Sequence, residues 1–309
     1  MGGGDGRGRA VARGVLGWLV LGVGIGLAIG VAEAVQRWLS LGTAAAMLLQ
    51  AVLATAFVVP AIVLLRTRVD RQSLGGLGFG RPAGPPIALG LGVGLGIGAL
   101  VWGPALLAGW VEIGTVDVRE LVWFLVLNTV VLLLFEALPE ELALRGYTWT
   151  TIRGGWRVAA ATLLTTALFP LTSAVISAAW WASATLLGSA PTAPALFPTG
   201  SDPVEYVVQL VVFGLVLVAA RRIPMRGALL IAIAFHVGQL TVNRLVLGGT
   251  GWLSTGVDVT LAEPDVILLV LVHLAVSGLV FVLIRRRAER GRPTPTREAL
   301  ASQEGSRKH

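Results

Sequence analysis

The residues best suited to chemistry lie in the stretch Leu138–Tyr147, LPEELALRGY, which follows a long apolar run. Glu141 and Arg145 are four residues apart, so they share a helix face in the order that favours an ion pair. Glu140 points about 100° away from Glu141, and Glu136 lies one turn earlier on the Glu140 side. Because these two carboxylates repel each other in an apolar setting, one of them is a candidate general base.

Two of the three histidines lie inside apolar runs and provide further candidates. His236 lies about ten residues, or roughly 15 Å, from the arginines before its run, and His273 lies about twelve residues, or roughly 18 Å, from those after its run. Both histidines can therefore share the depth of Glu140. Gln239 and Asn243 come one and two turns after His236 and offer amide groups on that side of the helix. Three helices are therefore predicted to bring an acid, imidazoles and amides to one level.

The composition identifies the environment of these groups. Of the 309 residues, 55% are hydrophobic and only 13% are charged, and the mean hydropathy is +0.81. A soluble domain carries about 25% charged residues, so this chain is predicted to reside in a lipid bilayer. The net charge of +7 comes from short loops and tails rather than from a continuous basic face, which argues against a nucleic-acid partner. The absence of cysteine excludes disulfides and thiolate chemistry.

Runs of about 20 apolar residues predict eight transmembrane helices and an all-α polytopic fold. The spans are Leu16–Val35, Gly42–Leu65, Pro86–Trp110, Leu121–Leu144, Val158–Trp181, Val204–Ala220, Ala228–Leu247 and Val266–Ile284. We expect a single transmembrane domain over residues 15–285, with its catalytic half at about 120–245. Residues 1–14 are expected to form a basic cytoplasmic tail, and residues 286–309 a disordered cytoplasmic tail.

The charges in the connections alternate along the chain. Basic groups precede span one, follow spans two, four, six and eight, and include Arg7, Arg9, Arg13, Arg66, Arg68, Arg71, Arg81, Arg153, Arg157, Arg221, Arg222, Arg226 and Arg285–Arg287. The other connections carry acids: Glu112, Asp117, Asp202, Glu205, Asp258, Glu263 and Asp265. By the positive-inside rule, both termini are cytoplasmic in a multi-pass protein of the plasma membrane.

Small residues and prolines predict how the spans pack. Span one (GVGIGLAIG) and span three (ALGLGVGLGIGAL) are rich in glycine, which permits close approach of neighbouring helices. Asn128 is expected to bond to another helix. Pro139 lacks the N–H of a helix hydrogen bond and predicts a kink just before Glu140, and Pro170 predicts a kink in span five.

Together these residues resemble a known family, the CAAX prenyl endopeptidases and bacteriocin-processing intramembrane peptidases, often labelled CPBP or Abi. Its Glu-Glu-x-x-x-Arg-Gly motif corresponds to Glu140–Gly146, Phe169 stands where the Phe of a Phe-x-x-x-His motif belongs, and His236 begins a His-x-x-x-Asn motif. The resemblance spans roughly residues 120–245 and implies the eight-helix bundle of that family.

The resemblance also implies roles for individual residues. Glu140 would activate a water that attacks a peptide carbonyl, Glu141 and Arg145 would support it, and His236 would stabilise the oxyanion. Substrates would be membrane-associated proteins or peptides: prenylated proteins, leader peptides or bacteriocin precursors. The family label "metalloprotease" allows a zinc ion, whose ligands in this chain would be Glu140, His236 and His273; no other cofactor is implied.

Two positions depart from the motifs, because Ser173 replaces the first histidine and Leu240 replaces the asparagine. Serine is no substitute for imidazole as a base near neutral pH, and leucine donates no hydrogen bond to an oxyanion. Gln239 or Asn243 could replace the amide, and His273 the imidazole.

Three functions remain open on this basis. The first is a peptidase that cuts near the cytoplasmic face. The second is a non-catalytic relative that binds a membrane peptide or protein in the same cavity. The third, a transporter with a Glu/His proton relay, predicts repeated span patterns, which the sequence does not display.

Overall fold

The computed structural model describes residues 3–200, 202–249 and 253–290. Its helices are α1 (Gly3–Leu39), α2 (Thr43–Val69), α3 (Gly84–Leu107), α4 (Val118–Gly155), α5 (Val158–Leu168), α6 (Thr172–Leu186), α7 (Pro203–Arg221), α8 (Ala228–Val246) and α9 (Leu269–Arg290). Short 3₁₀ turns at Leu74–Leu77 and Pro264–Leu268 precede α3 and α9. Two strands, β1 (Val111–Val116) and β2 (Val257–Leu261), pair antiparallel.

Seven helices are long and apolar enough to cross a membrane within the described ranges, and α5 with α6 forms an eighth span that is bent by 42°. The break between them contains Pro170, so the predicted kink is confirmed. The all-α polytopic fold predicted from the sequence is confirmed as well. The protein is a multi-pass membrane protein.

The two ends of the bundle differ in charge. We call the end at which α1, α3, α5 and α8 begin the arginine end, because the arginine-bearing connections lie there. The opposite end, the acidic end, carries the β1–β2 pair and the helix N-caps Asp117 and Asp202. Each of these carboxylates accepts hydrogen bonds from backbone N–H groups in the first turn of its helix, α4 or α7.

Helix α4 departs from regular α geometry on both sides of Pro139. Residues Leu132–Ala137 and Glu141–Thr148 form π-helical turns, with a single α turn, Leu138–Glu140, between them. Wider turns absorb the hydrogen bond that proline cannot make. The distortion predicted at Pro139 is therefore a pair of π-helical segments within one continuous helix. Glu140 ends the α turn and Glu141 begins the second π-helical segment, so both glutamates lie where the helix geometry changes.

Glycine faces bring the helices into close contact, as the glycine-rich runs predict. A Cβ atom at Gly26 of α1 would lie 2.5 Å from the carbonyl oxygen of Ile176 on α6. A Cβ atom at Gly94 of α3 would lie 2.9 Å from the backbone nitrogen of Gln239 on α8. The helix-to-helix bond expected of Asn128 is also confirmed, since its Nδ2 donates to Thr241 Oγ1 at 3.2 Å.

The helices at the two ends of the chain extend beyond the predicted transmembrane domain. Helix α1 begins at Gly3, within the segment expected to be a basic tail, and α9 continues to Arg290. The disordered tail predicted for residues 286–309 lies, from residue 291 onward, outside the described residues.

Candidate active site

A fully buried charged cluster forms the floor of the site. Arg145 Nη1 donates to Glu141 Oε1 at 3.0 Å, and His236 Nδ1 lies 3.2 Å from the same oxygen. Glu141 is 0% exposed, and Arg145 and His236 are each 1% exposed. The ion pair predicted from the four-residue spacing is present, and it gains a histidine from α8 as a third member. An isolated carboxylate at this depth would be costly, so each partner stabilises the others.

Two aromatic rings pack against the charged cluster. The guanidinium of Arg145 lies 4.4 Å from the ring centre of Phe169, at the break between α5 and α6. The ring of Phe213 on α7 meets the His236 imidazole edge-on at 4.8 Å. Nδ1 faces a carboxylate oxygen, and a neutral imidazole that donates from Nδ1 would leave Nε2 as an acceptor.

Above this floor lies a cavity of about 560 Å³ lined by Glu140 and His236. Glu140 is partly exposed to it, whereas its neighbour Glu141 is fully buried. The lateral walls are largely apolar, with Phe135, Phe169 and Phe213 among them. An acid and an imidazole from two helices thus meet water-accessible space within the bundle, as a hydrolytic site requires.

One wall carries an ion pair that includes a residue the sequence reasoning missed. Arg244 Nη2 donates to Glu136 Oε1 at 2.5 Å, and Arg244 Nη1 donates to Asn128 Oδ1 at 2.8 Å. Both Glu136 and Arg244 line the cavity. The expected repulsion between Glu136 and Glu140 is thus offset by an arginine. A signal was available, because Arg244 follows His236 by eight residues and so lies on the same helix face.

The residues proposed as substitutes divide into two groups. Ser173 and Gln239 line the cavity, as does Leu240. Gln239 is 1% exposed, and its Oε1 has no hydrogen-bond partner within the described ranges. Its side-chain carbonyl oxygen is therefore available as an acceptor.

His273 and Asn243 do not belong to this cavity, which corrects the expectation that either could replace a missing group. His273 Nε2 lies 2.9 Å from the carbonyl oxygen of Gly94. The imidazole of α9 is therefore held against α3. Asn243 is 4% exposed and is buried in the packing of α8.

The residues that the family resemblance offers as zinc ligands are not brought together either. Over the described residues, no group of three or more His, Cys, Asp or Glu side chains could hold a metal ion. The set Glu140, His236 and His273 is not assembled, because His273 is bonded to α3. The donor set therefore does not fit a zinc ion, and no step is assigned to one.

The serines on α6 bind the connection between α6 and α7, which crosses the mouth of the cavity. Ser173 Oγ donates to the carbonyl oxygen of Leu196 at 2.8 Å, and the backbone N–H of Ala195 donates to Ser177 Oγ at 3.0 Å. The ring of Phe197 packs edge-on against Tyr206 at 5.9 Å. Two hydroxyl groups of the cavity wall are thus bonded to backbone groups of this connection.

One comparison with protein families matches the segment that contains this site. Residues 122–241 match the family model of type II CAAX prenyl endopeptidase Rce1-like proteins. The matched segment contains Glu136, Glu140, Glu141, Arg145 and His236, and it confirms the resemblance drawn from the motifs. Neither the search of curated proteins nor that of solved structures gave a match. The chain thus combines an Rce1-like segment with an all-α polytopic membrane fold.

Proposed function

We propose that this protein is an intramembrane endopeptidase that hydrolyses a peptide bond of a membrane-associated protein or peptide. The observation that carries the proposal is the shared cavity of Glu140 and His236, with His236 held by the buried Glu141–Arg145 pair. An acid, an oriented imidazole and a largely apolar cavity are the parts that glutamate-activated hydrolysis needs. The plasma membrane, with both termini in the cytoplasm, is the proposed location.

Glu140 takes a proton from water as the water oxygen attacks the carbonyl carbon of the substrate. The same proton then passes from Glu140 to the amide nitrogen as the carbon–nitrogen bond breaks, which leaves a carboxylic acid and an amine. The acid proton then moves to the amine, which gives a carboxylate and an ammonium group. His236 positions the water through Nε2, since Nδ1 is engaged with Glu141. This role differs from the oxyanion donor implied by the family resemblance, because a neutral imidazole has no second N–H to give.

The side-chain Nε2–H group of Gln239 is the proposed donor to the oxyanion. Leu240 stands where the family motif has asparagine, and Gln239 is its immediate neighbour on the cavity wall. Loss of one such donor typically lowers a rate about 10²–10³-fold. A replacement donor is thus needed if the site is to remain efficient.

Replacing Glu140 with Gln tests the proposal, because an amide cannot accept the proton from water. Peptide termini in membranes that contain the wild-type protein are compared by mass spectrometry with those in membranes that contain Glu140→Gln. We expect a set of termini that depends on the wild-type protein and is absent with the variant. Glu120→Gln, an exposed carboxylate on the same helix, is the matched control and should preserve these termini. Identical termini with Glu140→Gln, at equal protein levels, would exclude Glu140 as the base.

A second candidate function is binding of a membrane peptide without cleavage. Ser173 and Leu240 favour it, because they occupy the positions of a family histidine and asparagine, and both line the cavity. Ser173 also bonds to a backbone carbonyl, as a binding residue would. This function predicts that no peptide termini depend on the protein at all.

A further inference from the structure

The floor of the cavity is sealed toward the arginine end. The layer below Glu140 runs from Glu141 to Trp149, and each of its nine residues is buried. Arg145 and Tyr147 are among the largest fully buried side chains of the described residues. A peptide therefore has no path to Glu140 through this layer.

The cavity instead opens toward the acidic end. In α7 and α8, the lining residues Tyr206, Gln209 and Arg244 lie in the half of the helix near that end. The lining residues of α6 lie in the second half of the bent span that α5 and α6 form, which is also the half nearer the acidic end. The mouth is bordered by exposed residues of the α6–α7 connection, such as Thr192 and Thr199. The expectation of a cut near the cytoplasmic face is thereby revised, because the open end is opposite to the arginine-bearing connections.

The charge difference between the two ends sets the orientation in the membrane. Arginines crowd the arginine end, where Arg13 pairs with Asp70, and Arg221 donates to the carbonyl oxygens of Gly76 and Leu77. A connection rich in arginine stays in the cytoplasm during insertion. The acidic end, and the mouth of the cavity with it, is then extracytoplasmic.

We infer that the cavity takes its substrate from the extracytoplasmic side of the membrane, and that this substrate is an extended, largely apolar peptide segment. The inference rests on the proposed function and names the substrate class of the same site. The hydroxyl groups of Ser173 and Ser177 already bind backbone groups of Leu196 and Ala195, so they are placed to bind those of an extended chain. The aromatic walls suit apolar side chains. The charge of Arg244 on the cavity wall is balanced by Glu136, so the wall does not demand an acidic substrate.

The absence of cysteine from the sequence allows a direct test. Single cysteines are introduced as Thr199→Cys at the mouth, Gln209→Cys on the cavity wall, and Arg226→Cys at the arginine end as the control. Each variant is treated with a membrane-impermeant maleimide, once in intact cells from which any outer envelope has been removed and once in inverted vesicles. We expect Thr199→Cys and Gln209→Cys to react in the cells, and Arg226→Cys to react only in inverted vesicles.

Labelling does not require turnover, so its result is independent of peptidase activity. Thr199→Cys combined with Glu140→Gln should react in the same way as Thr199→Cys alone. Reaction of the cavity cysteines only in inverted vesicles, or at neither face, would overturn the inference. A peptidase with cavity cysteines that react only from the cytoplasmic face would retain the proposed function and lose the proposed substrate class.

Discussion

At the scale of single residues, Glu140 and Glu141 are adjacent in sequence but have different environments. Glu141 is enclosed by an arginine and a histidine, whereas Glu140 is directed into the cavity. The helix turns by about 100° between them, and the surrounding π-helical segments fix which glutamate is enclosed. The proposed function needs this order, because a base must reach water and its neighbour must hold the imidazole.

Replacing Arg145 with Ala should destabilise the protein strongly, because Glu141 would stay buried beside His236 without its cation. Breaking a buried ion pair by removing one partner typically costs about 3–5 kcal/mol. The measurement is thermal unfolding in detergent, with Arg68→Ala, an exposed arginine of α2, as the control. Unfolding of Arg145→Ala at the wild-type temperature would contradict a stabilising role for the pair.

The ion pair between Glu141 and Arg145 was predictable from sequence, but its third partner, His236, was not. Spacing alone places Glu141 and Arg145 on one face, because helix geometry is local. The contact of Glu141 with His236 depends on how α4 and α8 pack, and 95 residues separate the two side chains along the chain. The failure of His273 as a substitute has the same origin, since equal depth in the membrane does not fix the direction in which a side chain points.

At the scale of elements, the contact between α3 and α8 positions the imidazole-bearing helix. Gly90 and Gly94 of α3 face α8, whereas Gly92 and Gly96 face open space. The glycine-rich run predicted close approach but not which helix would be the neighbour. Since α8 carries His236 and Gln239, the fit of α3 decides where these groups stand.

The same substitution should have opposite effects on the two faces of α3. Gly94→Ala places a Cβ atom 2.9 Å from the backbone nitrogen of Gln239, so α8 must move, and we expect a loss of about 1–3 kcal/mol. Gly96→Ala meets nothing within 4 Å and should be neutral or stabilising by up to about 1 kcal/mol. Thermal unfolding of the two variants provides the comparison. Equal effects would show that the α3–α8 contact does not require glycine.

At the scale of the whole molecule, the distribution of arginines relates the cavity to the two sides of the membrane. The fold class followed from hydropathy, because the length of an apolar run reflects the thickness of the bilayer. The direction in which the cavity opens could not be predicted from hydropathy, because it depends on the buried layer beneath Glu140 and on the path of the α6–α7 connection.

The orientation predicts the behaviour of reporter proteins fused after the last residue, His309. A fluorescent protein that matures only in the cytoplasm should fluoresce, and an alkaline phosphatase that is active only outside the cytoplasm should be inactive. The same reporters inserted into the acidic-end connection at Thr199 should give the reverse pattern. Phosphatase activity at the C-terminus would contradict the orientation, and with it the extracytoplasmic mouth.

The segment of the α6–α7 connection held by Ser173 and Ser177 has a consequence for selectivity. For the proposed substrate to use these hydroxyl groups, it would first have to displace a tethered piece of the protein itself, whose local concentration is high and constant. Apparent affinity then falls by the fraction of time that the mouth is occupied. On the proposed function, this internal competitor would reject weakly bound sequences without a steric clash against any of them, and a segment that replaces both hydroxyl contacts would reach Glu140.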